Sequence, residues 1–196
     1  MRLYILLDTS SSMEGAKIAA LNDAMANIVT ELKQCSANGL NKIILSVLSF
    51  GKGTVWMHGG AITIEEFVWN KLTHGGMTPL GKACLDLNSQ LLSETVSVDE
   101  DRCIIVLSDG CPTDDYDEGI ETLQSNAKFT KANKYAIAIG DNADIPSLLR
   151  FVGDVSHIFQ QNKSDELLDI LQNILYCNPN AIYNQSSPDS DDDEWS

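Results

Sequence analysis

Residues 3–7 form an unbroken apolar run that stops at Asp8. A run without polar alternation marks a strand covered on both faces, as in a parallel sheet. Apolar residues then recur at helical spacing over 16–32 (Ile18, Leu21, Met25, Ile28, Val29, Leu32), with polar residues between them and Gly39 beyond the end. The same alternation repeats. A strand is predicted over 42–50, a Gly51–Gly53 turn leads into an antiparallel edge strand over 54–62, and a helix starts at Pro79 and runs to about residue 92. Further strands are predicted over 102–107, 134–139 and 155–159, and helices over 115–131, 143–152 and 164–175, the last with Ser164 as its N-cap.

Strands alternating with helices imply βαβ units and a mostly parallel, doubly wound α/β sheet with helices on both faces. From Asn178 the periodicity ends, and "NPNAIYNQSSPDSDDDEWS" has the composition of a flexible acidic tail. The expected organisation is one domain over 1–177 and a tail over 178–196. In such sheets ligands bind beyond the carboxyl ends of the strands, where strand order reverses. Interest therefore falls on the residues after Leu7 and Leu107.

The formal net charge is −15, which argues against binding nucleic acid or an anionic membrane, since both need clustered Lys and Arg. Five acidic residues, Asp189, Asp191, Asp192, Asp193 and Glu194, sit in the tail and leave about −10 on the rest. Five cysteines, with no C-x-x-C and an odd count, give neither a disulfide framework nor a zinc spacing. Cys84 and Cys103 lie in apolar patterns and read as small buried hydrophobes. Free thiols, no signal-like leader after Met1 and no long apolar span predict a cytoplasmic protein.

Two strand ends carry chemistry. Asp8-Thr9-Ser10-Ser11-Ser12 follows the first strand, and Ser108-Asp109-Gly110 follows the strand at 102–107; Thr78 lies between them in a glycine-rich loop. If the two strands are adjacent, one crevice collects two carboxylates and three hydroxyls. Mg²⁺ takes near-octahedral oxygen at ~2.1 Å and keeps several waters. Ser10, Ser12 and Thr78 offer neutral oxygens, while Asp8 and Asp109 offset the ion's charge. Each piece also has a plainer role: Asp8, Ser10 or Ser12 can N-cap the next helix, and Ser-Asp-Gly can be an ordinary turn. Met13, Met77 and Pro112 flank the crevice as a candidate apolar rim. Asp114, Asp115 and Asp117 read as a solvated helix start. Gly51-Lys52-Gly53-Thr54 lacks the spacing of a phosphate loop and reads as a turn. His58 and His74 read as loop or edge residues, and Trp56 and Trp69 as core.

The segments "ILLDTSSSMEGAKIAALNDAM", "GGMTPLGKAC" and "IIVLSDGCPTDD" resemble the von Willebrand factor A (vWA) domain and its metal-ion-dependent adhesion site (MIDAS). Asp8, Ser10, Ser12, Thr78 and Asp109 match the five MIDAS positions. The resemblance implies a Rossmann-like sheet of six strands, five parallel and one at an antiparallel edge. It also implies a bound Mg²⁺, with Mn²⁺ or Ca²⁺ as substitutes, and a protein partner whose carboxylate completes the metal sphere. More narrowly, the chain resembles bacterial TerY-like proteins of the tellurium- and stress-resistance set, some of which pair with a Ser/Thr kinase and a type-2C protein phosphatase. The expected function is thus non-enzymatic partner binding. Two alternatives remain: a Mg²⁺-dependent phosphohydrolase using Asp8 as nucleophile, and a scaffold with a vestigial metal site.

Overall fold

A computed structural model describes residues 1–38, 42–161, 163 and 166–176. The predicted N-cap Ser164, the residue Gly39 and the acidic tail lie outside these described residues. The parallel strands are β1 (Arg2–Asp8), β2 (Ile44–Phe50), β5 (Arg102–Ser108), β6 (Asn133–Ile139) and β7 (Ile158–Gln161); β3 (Thr54–Trp56) and β4 (Ile62–Thr63) are the antiparallel segments. The helices are α1 (Ala16–Ala37), α2 (Leu80–Ser93), α3 (Tyr116–Gln124), α4 (Ala127–Lys131), α5 (Ile145–Val152) and α6 (Glu166–Tyr176).

The sheet order is β3-β2-β1-β5-β6-β7, with β4 also pairing β2. Chain order therefore reverses between β1 and β5, which pair in parallel with Leu7 opposite Leu107. Both strands are buried almost throughout, as their apolar runs require. Leu3, Ile5 and Leu7 face α1 and α6, where Leu21, Met25, Ile28, Leu171 and Ile174 cover them. Tyr4 and Leu6 face α2, α3 and α5, against Leu87, Leu91, Ile120 and Phe151. The doubly wound expectation holds, and Trp56 and Trp69 pack as half-buried members of the two cores.

Three boundaries move for local reasons. The single edge strand expected over 54–62 is two short strands on β2, because the turn at Met57–Gly59 puts His58 at φ 53° and Gly60 at φ 125°. No extended strand passes through those angles. The helix expected over 115–131 breaks where the Asn126 side chain accepts from Lys128 N at 2.9 Å and caps α4 afresh. A turn capped by Asp154 delays the last strand to Ile158.

α2 is fixed at both ends, and its position sets Thr78. Both oxygens of Asp114 accept from its first turn, Gly81 N at 2.9 Å and Lys82 N at 2.7 Å. At the other end, buried Arg102 reaches Glu94 with Nε and Nη2 at 3.1 and 2.7 Å. At the start of α2, that helix and α3 touch backbone to backbone. A Cβ on Gly119 would lie 2.4 Å from Gly81 O, and one on Gly81 would lie 2.3 Å from Asp115 O. Alanine at position 119 gains ~1 kcal/mol in helix propensity, but overpacking against backbone costs about 1–3 kcal/mol. Gly119→Ala is therefore expected to lower the melting temperature by several degrees in a thermal scan; an unchanged or raised value would show that the two helices separate freely.

Candidate metal centre

β1 ends on Asp8, whose carboxylate is wholly buried. Oδ1 accepts from Ser10 N at 2.8 Å, which bends the chain out of the sheet, and Oδ2 accepts from Ser108 Oγ of the neighbouring strand at 2.6 Å. Ser10 then enters the tight turn Ser11–Met13 with its own hydroxyl unused in capping. Ser10 Oγ lies 2.9 Å from Ser12 Oγ, and Ser12 Oγ donates to Asp109 Oδ1 at 2.6 Å. α1 begins only at Ala16, with Gly15 in the cap position. Neither Asp8, Ser10 nor Ser12 caps α1, so the helix-cap role open to them in the sequence does not apply.

Thr78 comes from the other side of the crevice. Its backbone is engaged by Thr113, with Thr78 N donating to Thr113 Oγ1 at 2.9 Å and Thr113 N donating to Thr78 O at 3.0 Å. Its side chain faces Gly110, where a Cβ would lie 3.5 Å from Thr78 Oγ1 and 3.7 Å from Ser12 Oγ. The absent side chain at 110 thus keeps the two hydroxyls on one open space. The glycine loop before Thr78 is tied to the first loop by Gly75 N to Thr9 O at 2.7 Å and Ser11 N to Gly76 O at 3.1 Å. Gly76 takes φ 87°, and a Cβ there would meet Gly51 O at 2.6 Å, so the loop has room only for glycine.

All five residues singled out from the sequence therefore converge at the reversal point between β1 and β5. Two residues that the sequence reading did not single out join them. Ser108 orients Asp8, and Lys17 Nζ meets Asp109 Oδ2 at 2.5 Å. Ser108 could have been found from strand register, since it falls opposite Asp8. Lys17 left no signal, because only the packing of α1 brings it to Asp109.

The surroundings correct one expectation and sharpen others. Met13 is fully buried in the α1 core and forms no rim, whereas Met77 is 64% exposed beside Thr78. Asp114 caps α2 with both of its oxygens. Asp115 caps α3 through Glu118 N at 3.1 Å, and Asp117 pairs with Arg150 at 2.5 Å. Gly51–Gly53 is a closed turn, Gly51 N to Gly53 O at 2.9 Å. His58 meets Phe67 edge to face with ring centres 4.8 Å apart. Burial pushes the Cys84 and Cys103 thiols up, the latter to about 12, so neither is a nucleophile.

The donors fit a hard divalent cation: hydroxyls and two carboxylates, with no nitrogen or sulfur. Among the described residues no group of three or more His, Cys, Asp and Glu is placed to hold a metal. Burial raises the Asp8 pKa above its ordinary 3.8; the hydrogen bonds from Ser108 and Ser10 oppose this, and the nearby Asp109 charge adds to it. A cation in the crevice would offset that cost.

The family model of the von Willebrand factor type A domain matches residues 3–173, and the chain belongs to this family of metal-dependent interaction modules. Comparison with curated proteins gave no match. Solved structures share the fold at low identity. The pilus adhesin SpaC of Lactobacillus rhamnosus GG, in an open conformation, aligns at 12% identity with TM-score 0.68, over 88% of this chain and 29% of its own. The ArnB paralog VWA2 of Sulfolobus acidocaldarius aligns at 19% identity with TM-score 0.65, over 86% and 43%. Proximal thread matrix protein 1 of the mussel byssus, with a zinc-occupied MIDAS motif, aligns at 15% and 0.60, over 88% and 44%. This chain thus spans less than half the length of these three.

Because the folded pKa of Asp8 lies above the unfolded one, its contribution to stability is full below pH 3.8 and is lost as pH rises through the folded value. Asp8→Asn is accordingly expected to melt a few degrees above wild type in EDTA at pH 7, with the two converging in acid. A mutant that melts lower at pH 7 would show that the buried charge is not a burden.

Proposed function

We propose that this chain is a Mg²⁺-dependent protein-interaction module in which Asp8, Ser10, Ser12, Thr78 and Asp109 hold the ion. The observation that carries the reading is the continuous line Ser10–Ser12–Asp109 facing Thr78 across Gly110. It is a set of oxygens at the reversal point of a doubly wound sheet, where such folds bind ligands. Bound there, the ion would supply a Lewis-acidic position. With hydroxyls as direct ligands it keeps most of its charge, and a carboxylate from a partner protein is the natural outside ligand. The residues contribute by holding the crevice: Ser108 orients Asp8, and the turn Ser11–Met13 presents both serine hydroxyls.

The partner context follows from the sequence resemblance. The proposal is a cytoplasmic, bacterial stress-response or tellurite-resistance module working beside a Ser/Thr kinase and a type-2C protein phosphatase. Among the described residues no helix is long and apolar enough to cross a membrane. The chain itself is proposed to turn over no substrate. A phosphohydrolase nucleophile at Asp8 would want an acid two residues on; Ser10 stands there, its hydroxyl bonded to Ser12, and a hydroxyl is a poor acid at neutral pH.

Calorimetric titration of the full chain with Mg²⁺, Mn²⁺ and Zn²⁺ tests the site. One saturable Mg²⁺ site is expected, and Thr78→Ala or Ser12→Ala should weaken it by roughly tenfold, the scale of one lost ligand. Tight Zn²⁺ binding with no Mg²⁺ binding would reassign the metal, as zinc fills the MIDAS motif of the mussel protein. Hydrolysis of p-nitrophenyl phosphate is expected to stay at background; activity lost in Asp8→Asn would restore the enzymatic reading.

A further inference from the structure

Lys17 lies in the first turn of α1, and its side chain reaches across the end of the sheet to Asp109. The Asp109 side chain is 0% exposed and that of Lys17 is 38% exposed, so the pair joins a buried carboxylate to an ammonium still in touch with water. The lysine stem passes Gly140, where a Cβ would come within 3.4 Å of Cε and 3.6 Å of Nζ. Both oxygens of Asp109 are engaged: Oδ1 takes the Ser12 hydroxyl and Oδ2 takes Lys17. Asp8 has hydroxyl and amide donors and, among the described residues, no ion pair with a cation.

We infer that Lys17 is a resident cation of the crevice that sets its metal affinity, neutralising Asp109 in the metal-free protein and opposing the arriving divalent ion. The inference rests on the metal reading proposed above. A buried carboxylate left without a counter-charge destabilises the fold, so the lysine keeps the metal-free state intact. The same unit charge, held at the edge of the site, repels a divalent ion. Across several ångströms in a half-hydrated crevice that repulsion corresponds to roughly a tenfold change in dissociation constant. Lys17 is thus a positioning and affinity-setting residue, not a ligand. It trades metal affinity for stability without metal, and a partner's carboxylate then becomes the group that tips the balance toward the loaded form.

The two effects have opposite signs, which separates this role from a merely structural one. In the full chain, with Mn²⁺ and Mg²⁺ alone as probes, Lys17→Met and Lys17→Gln are expected to melt several degrees lower in EDTA. Both should bind metal about tenfold tighter, so that the stabilisation on adding metal grows. The Gln variant keeps a hydrogen-bond donor for Asp109 and carries the test if the Met variant fails to fold. Lys17→Arg, which keeps the charge, should stay within about threefold of wild type. Unchanged or weaker metal binding in both neutral variants overturns the inference while leaving the metal centre standing. Binding in Lys17→Gln at concentrations where wild type shows none supports it strongly, and no binding in either overturns both readings.

Discussion

The carboxylate of Asp8, buried at the seam between two parallel strands, is the constraint around which this molecule is arranged. A charge there survives only because its neighbours donate to it: the Ser108 hydroxyl from β5 and the Ser10 amide from its own loop. Those two bonds decide the local path of the chain. The Ser10 bond turns the backbone out of the sheet, and the turn Ser11–Met13 follows with Met13 as an anchor in the α1 core. The hydroxyls at 10 and 12 are thereby left to form a line that ends on Asp109. A solvated Asp8 would impose no such geometry, and the loop would be free to choose another.

The second wall of the crevice is held by close approach rather than charge. α2 follows Thr78 directly after Pro79 and packs on α3 where Gly81 and Gly119 bring two helical backbones together. Asp114 spends both its oxygens on the first turn of α2, where helix N–H groups have no partners of their own. Glycines at 51, 75 and 76 let three loops approach closely, Gly76 against the Gly51 backbone and Gly75 against the Lys52 side chain. The site is thus built from a buried acid on one side and from glycine contacts on the other, with Gly110 keeping the space between them open.

Electrostatics then distinguishes this crevice from the rest of a strongly acidic chain. Among the described residues much of the negative charge is solvated or engaged in caps and surface pairs, as at Asp115 and Asp117. Within the crevice both carboxylates are buried, and among the described residues one ammonium, that of Lys17, meets Asp109 alone. That is an incomplete neutralisation, and incomplete neutralisation of buried oxygens is what gives a site appetite for a small divalent ion.

Much of this was written in the sequence. Unbroken apolar runs at 3–7 and 102–107 mark strands buried on both faces, because only burial of that kind tolerates no polar alternation. The spacing of Asp8, Ser10 and Ser12 and the Asp109 and Thr78 motifs named the crevice residues before any geometry. Boundaries were less legible: His58 in a left-handed conformation and Asn126 as a fresh cap are decisions of local backbone that hydrophobic periodicity does not report. Tertiary structure alone decided the remainder. That Met13 is core and Met77 is exposed, that Asp114 caps a helix 33 residues away, and that Lys17 meets Asp109 across 92 residues all depend on how helices pack against the sheet. Periodicity and motif spacing describe one segment at a time. Contacts between segments are settled only when the whole chain packs together.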